Sequence, residues 1–372
     1  MFLRVITHGD GANPIIQRTA RIIGECADTA EFLYWDRDSM GSVAAELSDV
    51  YVPICLMTGG GKRNVRVAVL LPIFWLRLLF KLMTARNADV HYAHTFECAL
   101  VCCVVRILRG VPYVYHIHDN IGISHHWWRL LAPLIDRVDG WVVKHAASVV
   151  VPDQSRVIGP LRPFASKISV VPNCTGAFDG GAVGRDHHDI DVVTVLAIGS
   201  LEEDRGIDLL LKSVEGLRSI RIVAAGRVAG DALRRSLSHS TEVEFLGSVP
   251  HSMIRSIYER GDIVFLFYRP DLDLNIRAAP MKFLEALAAG RPVLVNSEVK
   301  ISSEVLQQGI GYVCRFDVMD LRSTLKRMAT DRTGVLGMGQ RAREVYERNY
   351  GFGKVENHLK EILAFASTAE RT

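Results

Sequence analysis

At 372 residues, with 49% hydrophobic and 23% charged side chains, the chain is long enough for two globular domains and too apolar to be disordered. A formal net charge of +3 is too small for bulk attraction to nucleic acid, so any cationic effect must be local. Cys26, Cys55, Cys98, Cys102, Cys103, Cys174 and Cys314 are odd in number and lack CxxC spacing, which argues against a disulfide framework and a zinc site and for a reducing cytoplasm.

In chain order, MFLRVITHGDG breaks its apolar stretch at Arg4 and runs into a glycine turn, so it reads as a first core strand, not a signal peptide. Strand-like runs follow at Phe32 to Tyr34, Asp89 to Tyr92, Tyr113 to Ile117 and Ser148 to Val151, with helix-like segments between them, the first after Asn13. Residues 65 to 83 are the one candidate for membrane contact. Their uninterrupted apolar run, Val67 to Leu76, is far short of the ~20 residues of a spanning helix. Helical spacing places Lys62, Arg63, Arg66, Arg77 and Lys81 on one face with Leu, Phe and Trp elsewhere, the build of an interfacial helix, although Pro72 disturbs the phase. A core helix with a snorkelling basic edge fits the same residues.

His116 and His118 close the strand at Tyr113, and Asp119 and Asn120 come next. A neutral imidazole at a strand's C-terminal end can exchange a proton with a bound hydroxyl, and Asp119 could fix its tautomer. We assign His118 to function and His116 to the strand. Metal binding would need further ligands that the sequence does not place nearby. HHWW at 125 to 128 suits an aromatic wall or packed aromatics beneath a loop.

The polar stretch CTGAFDGGAVGRDHHDID, with Gly176, Gly180, Gly181 and Gly184, reads as a linker, and βα alternation restarts after it. Strands are expected at Val192 to Ile198, Ile220 to Ala225, Val243 to Leu246, Ile263 to Phe267 and Val293 to Asn296. Two such alternations imply an α/β protein of two doubly wound parallel-sheet domains facing each other across a cleft. Residues 1–178 form the first domain, 176–190 the linker and 190–354 the second, with 355–372 able to cross back onto the first.

AAPMKFLEALAAGRPVLV, at 278 to 295, has helix punctuation: Pro280 at the start, Gly290 at the C-cap and Pro292 preventing continuation. Lys282 and Glu285 lie one turn apart. A lysine in the first turn opposes the helix macrodipole, and a bound phosphate would resolve that opposition. An i,i+3 ion pair on a solvated face explains the same two residues, so both readings stay open at this point. Arg205, before Gly206 and an apolar helix, is either a bidentate phosphate ligand or a surface arginine.

Several pieces match one pattern: YHIHDN at 115–120, VVPN at 170–173, GSLEEDRGIDLLLKSV at 199–214, FLGSVP at 245–250 and PMKFLEALAAGRPVL at 280–294. Together they resemble glycosyltransferases of the GT-B fold, in particular the retaining, nucleotide-sugar-dependent enzymes of glycosyltransferase family 4 that act in bacterial polysaccharide assembly. The resemblance implies that Lys282 and Arg205 hold the donor diphosphate and Glu285 the ribose. It places His118 at the sugar, Asn173 among the donor contacts, and Gly9 and Gly11 where the backbone closes over the donor. Two departures matter: the usual E-x7-E motif would place a glutamate where Arg277 stands, and the usual arginine of the second-domain loop is Ser200.

The expected reaction is retaining sugar transfer from a nucleotide-diphosphate sugar to a saccharide or polyprenyl-linked acceptor. It would need no metal or cofactor, with cations stabilising the leaving diphosphate. The D-x-D of Asp271 and Asp273, the one pretext for a metal-dependent reading, sits where a loop is expected. The expected location is cytoplasmic, at the inner face of an anionic membrane, with no nucleic-acid partner. A nucleotide-sugar 2-epimerase and a non-catalytic GT-B partner subunit are the rival readings.

Overall fold

The computed structural model describes residues 1–8, 14–37, 47–61, 64–118, 132–173, 178, 181–184, 192–250, 253–278 and 280–369. The chain divides into two compact units, Met1–Cys174 with Gly353–Thr372, and Thr175–Phe352.

The first unit is built on seven parallel strands: β1 (Phe2–Thr7), β2 (Thr29–Asp36), β3 (Val52–Thr58), β4 (Val90–His94), β5 (Tyr113–His116), β6 (Ser148–Val151) and β7 (Ile168–Val170). Their order is β3-β2-β1-β4-β5-β6-β7, so the winding reverses between β1 and β4. Strands β4, β5 and β6 are buried along their whole length, as a parallel sheet covered on both faces requires. The helix Phe96–Arg109 ends at Gly110, whose φ of 70° closes the last turn. From that last turn, Arg109 donates to the carbonyls of Leu82, Met83 and Ala85, satisfying the open end of the helix Asn64–Thr84.

Asn64–Thr84 runs through Pro72 as one helix of 21 residues. Its inner side buries Phe74, Leu78 and Leu82, with Phe74 stacked on Trp35 at 5.6 Å between centroids. The outward face carries an apolar stripe beside the basic residues expected there, of which Lys62 and Arg63 lie outside the described residues. Val69 (69% exposed), Ile73, Leu76 (68%), Phe80 (71%) and Met83 recur at helical spacing and face solvent. Arg66 and Arg77 are exposed beside them, and Arg77 donates to the Leu56 carbonyl at 2.9 Å. The segment is apolar all round, so the fold hides one stripe and leaves a second uncovered. By length and composition the helix is apolar enough to cross a membrane, with a mean hydropathy of 1.9, but its inner stripe is committed to this unit's core. The last helix, Phe352–Thr368, belongs to the first unit and buries Val355, Leu359, Ile362, Leu363 and Ala366.

The second unit carries six parallel strands: β8 (Val193–Leu201), β9 (Ile220–Val228), β10 (Val243–Gly247), β11 (Ile263–Leu266), β12 (Val293–Asn296) and β13 (Gly311–Cys314). Their order is β10-β9-β8-β11-β12-β13, with the reversal between β8 and β11. Two apolar clusters cover the sheet, one joining Leu196 and Val264 to Phe283 and Leu287, the other joining Val195 and Phe265 to Leu210 and Leu325. Every strand read from the sequence is present, β6 and β12 with the expected ends and the others with shifted ends; β3, β7 and β13 were not anticipated. Six described cysteines are free thiols.

Candidate functional site

In open doubly wound sheets, ligands bind beyond the strands' carboxyl ends at the point where the winding reverses. In the second unit that point is the end of β8. Gly199 there has a φ of 97°, which favours glycine, and the Cβ of any other residue would lie 2.8 Å from Lys282 Nζ. Its neighbour Gly226 on β9 leaves no space either, because a Cβ would lie 1.7 Å from the Gly199 carbonyl oxygen. Gly199 brings bare backbone up to the ammonium group, and Gly226 lets β9 pack against Gly199.

Lys282 enters from the first turn of the helix Met281–Ala289 and donates to the Ile198 carbonyl. Its pKa is lowered to about 8, chiefly because the group is desolvated, and further by the charge of Arg205; Glu285 and Glu202 pull in the opposite direction. A half-buried cation at the positive end of a helix, beside a second cation, is the arrangement an anion completes. The solvated ion-pair reading is therefore set aside. Arg205 closes the short 3-10 turn Glu203–Arg205, lies over the Tyr268 ring at 4.5 Å and donates to Asn275 Oδ1 at 3.2 Å. Stacking and hydrogen bonding fix its planar fork in one orientation. Glu285, 4% exposed, accepts from the Tyr258 hydroxyl at 3.1 Å.

In the first unit the corresponding strand ends gather histidines. His94 closes β4 opposite His116 on β5, and His118 stands two residues further on. His94 Nδ1 and His118 Nε2 share a hydrogen bond of 2.9 Å, and the Tyr92 hydroxyl meets His116 Nδ1 at 3.0 Å. The rings stack, with centroids 4.3 Å apart for His116 and His118 and 5.1 Å apart for His94 and His118. Burial pushes the His118 pKa down to about 4; it also pushes His94 and His116 well down, and the neighbouring rings add to both. All three rings are therefore neutral at pH 7. Thr95, at a φ of 74° the one positive-φ residue other than glycine among those described, donates its N–H to the His116 carbonyl at 3.1 Å. Its hydroxyl also meets His8 Nδ1 at 3.3 Å. Strain of that kind persists where the surrounding structure over-determines it.

Lys282, Arg205 and Glu285 thus converge in the second unit. His118 and Asn173, which follows β7, belong to the first. Gly9, Gly11, Asp119, Asn120 and residues 125 to 128 lie outside the described residues. Ser200 lies on β8, and Arg277 is half-buried just after the short helix Asp273–Ile276. Sequence reasoning missed Tyr258, Tyr268 and Asn275, and it missed His94, the partner of His118. The missed signal was the strand VHYAH, whose terminal histidine matches that of YVYH.

A family model described as Glycosyl transferase 4-like domain matches residues 38–174, and one described as Glycosyl transferases group 1 matches residues 192–331. The gpi3 subunit of phosphatidylinositol N-acetylglucosaminyltransferase from Schizosaccharomyces pombe is 28% identical over 173 residues, 44% of this chain and 36% of that protein. The chain thus matches about a third of the length of that curated relative. The crystal structure of Anabaena HepE in complex with UDP superposes with a TM-score of 0.73 at 14% identity, covering 98% of this chain and 99% of that one. Sucrose-phosphate synthase from Thermosynechococcus elongatus gives 0.77 at 14% identity, with 98% of both chains covered. At these identities the superpositions speak to the fold, two-domain and α/β.

Proposed function

Since the chain belongs to the GT4-like glycosyltransferases of the GT-B fold, we propose that its reaction is retaining, metal-independent transfer of a sugar from a nucleotide-diphosphate sugar to a lipid-linked saccharide. The observation that carries this reading is the desolvated Lys282 ammonium, set at a helix N-terminus and beside Arg205 with its pKa lowered to about 8. Breaking the anomeric C–O bond leaves charge on the diphosphate, and preorganised cations at those oxygens lower the barrier. Lys282 and Arg205 supply them, Glu285 takes the ribose hydroxyls, and Asn173 joins the donor contacts, as do Gly9 and Gly11.

His118, neutral and oriented by His94, exchanges a hydrogen bond with the sugar at the reacting centre. UDP and UDP-glucose complexes of the HepE neighbour support a nucleotide sugar as donor. The printed name of the S. pombe relative, a phosphatidylinositol glycosyltransferase subunit, supports a lipid-borne acceptor. The outward apolar stripe Val69, Ile73, Leu76, Phe80 and Met83, flanked by Arg66, Arg77 and Lys81 with no acidic residue in the helix, suits peripheral contact with an anionic membrane at the cytoplasmic face.

Incubation with a panel of nucleotide sugars, with and without polyprenyl-linked saccharides, tests the reading by NMR of the anomeric centre. Product is expected only when both substrates are present, with the donor's anomeric configuration kept. Conversion of donor alone into an epimer, or an inverted product, overturns it.

A further inference from the structure

The three rings at the ends of β4 and β5 offer more than one acid-base group. One nitrogen from each of His94, His116 and His118 lies within 4.8 Å of the nitrogens offered by the other two. Two of the nitrogens, His94 Nδ1 and His118 Nε2, are 2.9 Å apart. Metal–imidazole bonds of about 2.0–2.1 Å place neighbouring ligand nitrogens about 2.9 Å apart at right angles and about 3.3 Å apart in a tetrahedron. The observed spacing is thus already that of a coordination edge, and the nitrogen offered by His116 lies within 4.8 Å of those offered by the other two rings. Of the six ring nitrogens, three have hydrogen-bond partners, and the buried His94 Nε2, His116 Nε2 and His118 Nδ1 have none among the described residues. Each such group costs about 1–3 kcal/mol when buried, and an ion seated between His94 Nδ1 and His118 Nε2 can relieve the one at His116 Nε2, since the two nitrogens of a single ring point apart.

The second shell is also present. The Tyr92 hydroxyl anchors His116, and the strained Thr95 backbone ties the end of β4 to the His116 carbonyl. The donor set is imidazole alone, which selects borderline transition metals over Mg²⁺ or Ca²⁺.

We propose that His94, His116 and His118 form a three-imidazole site for a divalent transition metal of the Zn²⁺ class, and that the bound ion inhibits transfer by occupying the one lone pair of the His118 ring. Binding is independent of the reading given under Proposed function; the inhibition rests on the role of His118 in it. Each neutral ring offers one lone pair and keeps one N–H, so the ion enters without removing a net proton from the histidines.

The test is titration of the full-length, chelator-treated protein with Zn²⁺ by calorimetry and with Co²⁺ by visible absorption. One ion per chain is expected, at micromolar affinity or tighter, weakened at least about tenfold by H94Q and by H116Q, with UDP affinity unchanged in both. X-ray absorption of wild-type protein carrying one Zn²⁺ is expected to show a shell of three imidazole nitrogens, which covers the case in which a variant misfolds. No stoichiometric ion, affinity indifferent to both substitutions, or a sulfur-containing shell overturns the site. Tight binding without loss of transfer overturns the inhibition alone.

Discussion

Lys282 is strained electrostatically in the ligand-free protein, and the strain has a pH signature. Its folded pKa of about 8 lies below the ordinary 10.5, so the folded state disfavours the ammonium, and stability rises between pH 8 and 10.5 as the unfolded chain retains the extra proton. A bound diphosphate reverses the preference and raises the pKa. Affinity for UDP should therefore be level below pH 7.5 and fall roughly tenfold by pH 9.5, and K282A should flatten that slope. His91 carries a second residue-scale prediction. It is fully buried, neither ring nitrogen has a partner among the described residues, and burial, with Arg4 and Arg109 adding, pushes its pKa from 6.5 to about 3. The unfolded chain therefore binds a proton that the folded chain refuses, and stability present above pH 6.5 is lost as pH falls towards 3. Replacement by leucine should recover roughly 2 kcal/mol of that loss at pH 5, read as the difference between denaturant midpoints at pH 7.5 and 5.

At the scale of elements, the helix Asn64–Thr84 separates packing from docking. Phe74 is fully buried, so F74A should cost about 3–5 kcal/mol of unfolding free energy. Serine at Ile73, Leu76 and Phe80 together should leave the unfolding midpoint within about 0.5 kcal/mol of wild type for each site while abolishing sedimentation with phosphatidylglycerol vesicles. Retained sedimentation would remove the membrane assignment.

The same helix shows what a sequence can and cannot carry. Pro280, Gly290 and Pro292 delimit Met281–Ala289 by local chemistry alone, so Lys282 and Glu285 were legible one by one. A segment apolar on all sides has no phase, so its exposed stripe could not be told from its buried one. β3 escaped notice because it is an edge strand, mostly exposed and carrying Pro53, and β13 because it is an edge strand that opens on Gly311, a residue that weakens a strand signal. The pairing of His94 with His118 bridges 24 residues through strand adjacency, which no local pattern encodes.

For the molecule as a whole, the chain's last 20 residues complete the fold begun by its first strands. The helix Phe352–Thr368 leaves the second unit's sequence and buries five apolar side chains in the first unit. Lys360 lies close enough to Cys26 to oppose the upward push of burial on that thiol. Truncation after Phe352 should expose the first unit to hydrogen exchange while leaving protection along β8, β9 and β12 unchanged.

The claim on which the account turns is that two cations of the second unit hold a nucleotide diphosphate. The direct measurement is UDP affinity by calorimetry at pH 7 for wild type, K282A, R205A and the double variant. Each single change should weaken binding by about ten- to a hundredfold, and the double variant should bind no UDP measurably while remaining cooperatively folded. Wild-type UDP affinity in the folded double variant would contradict the account.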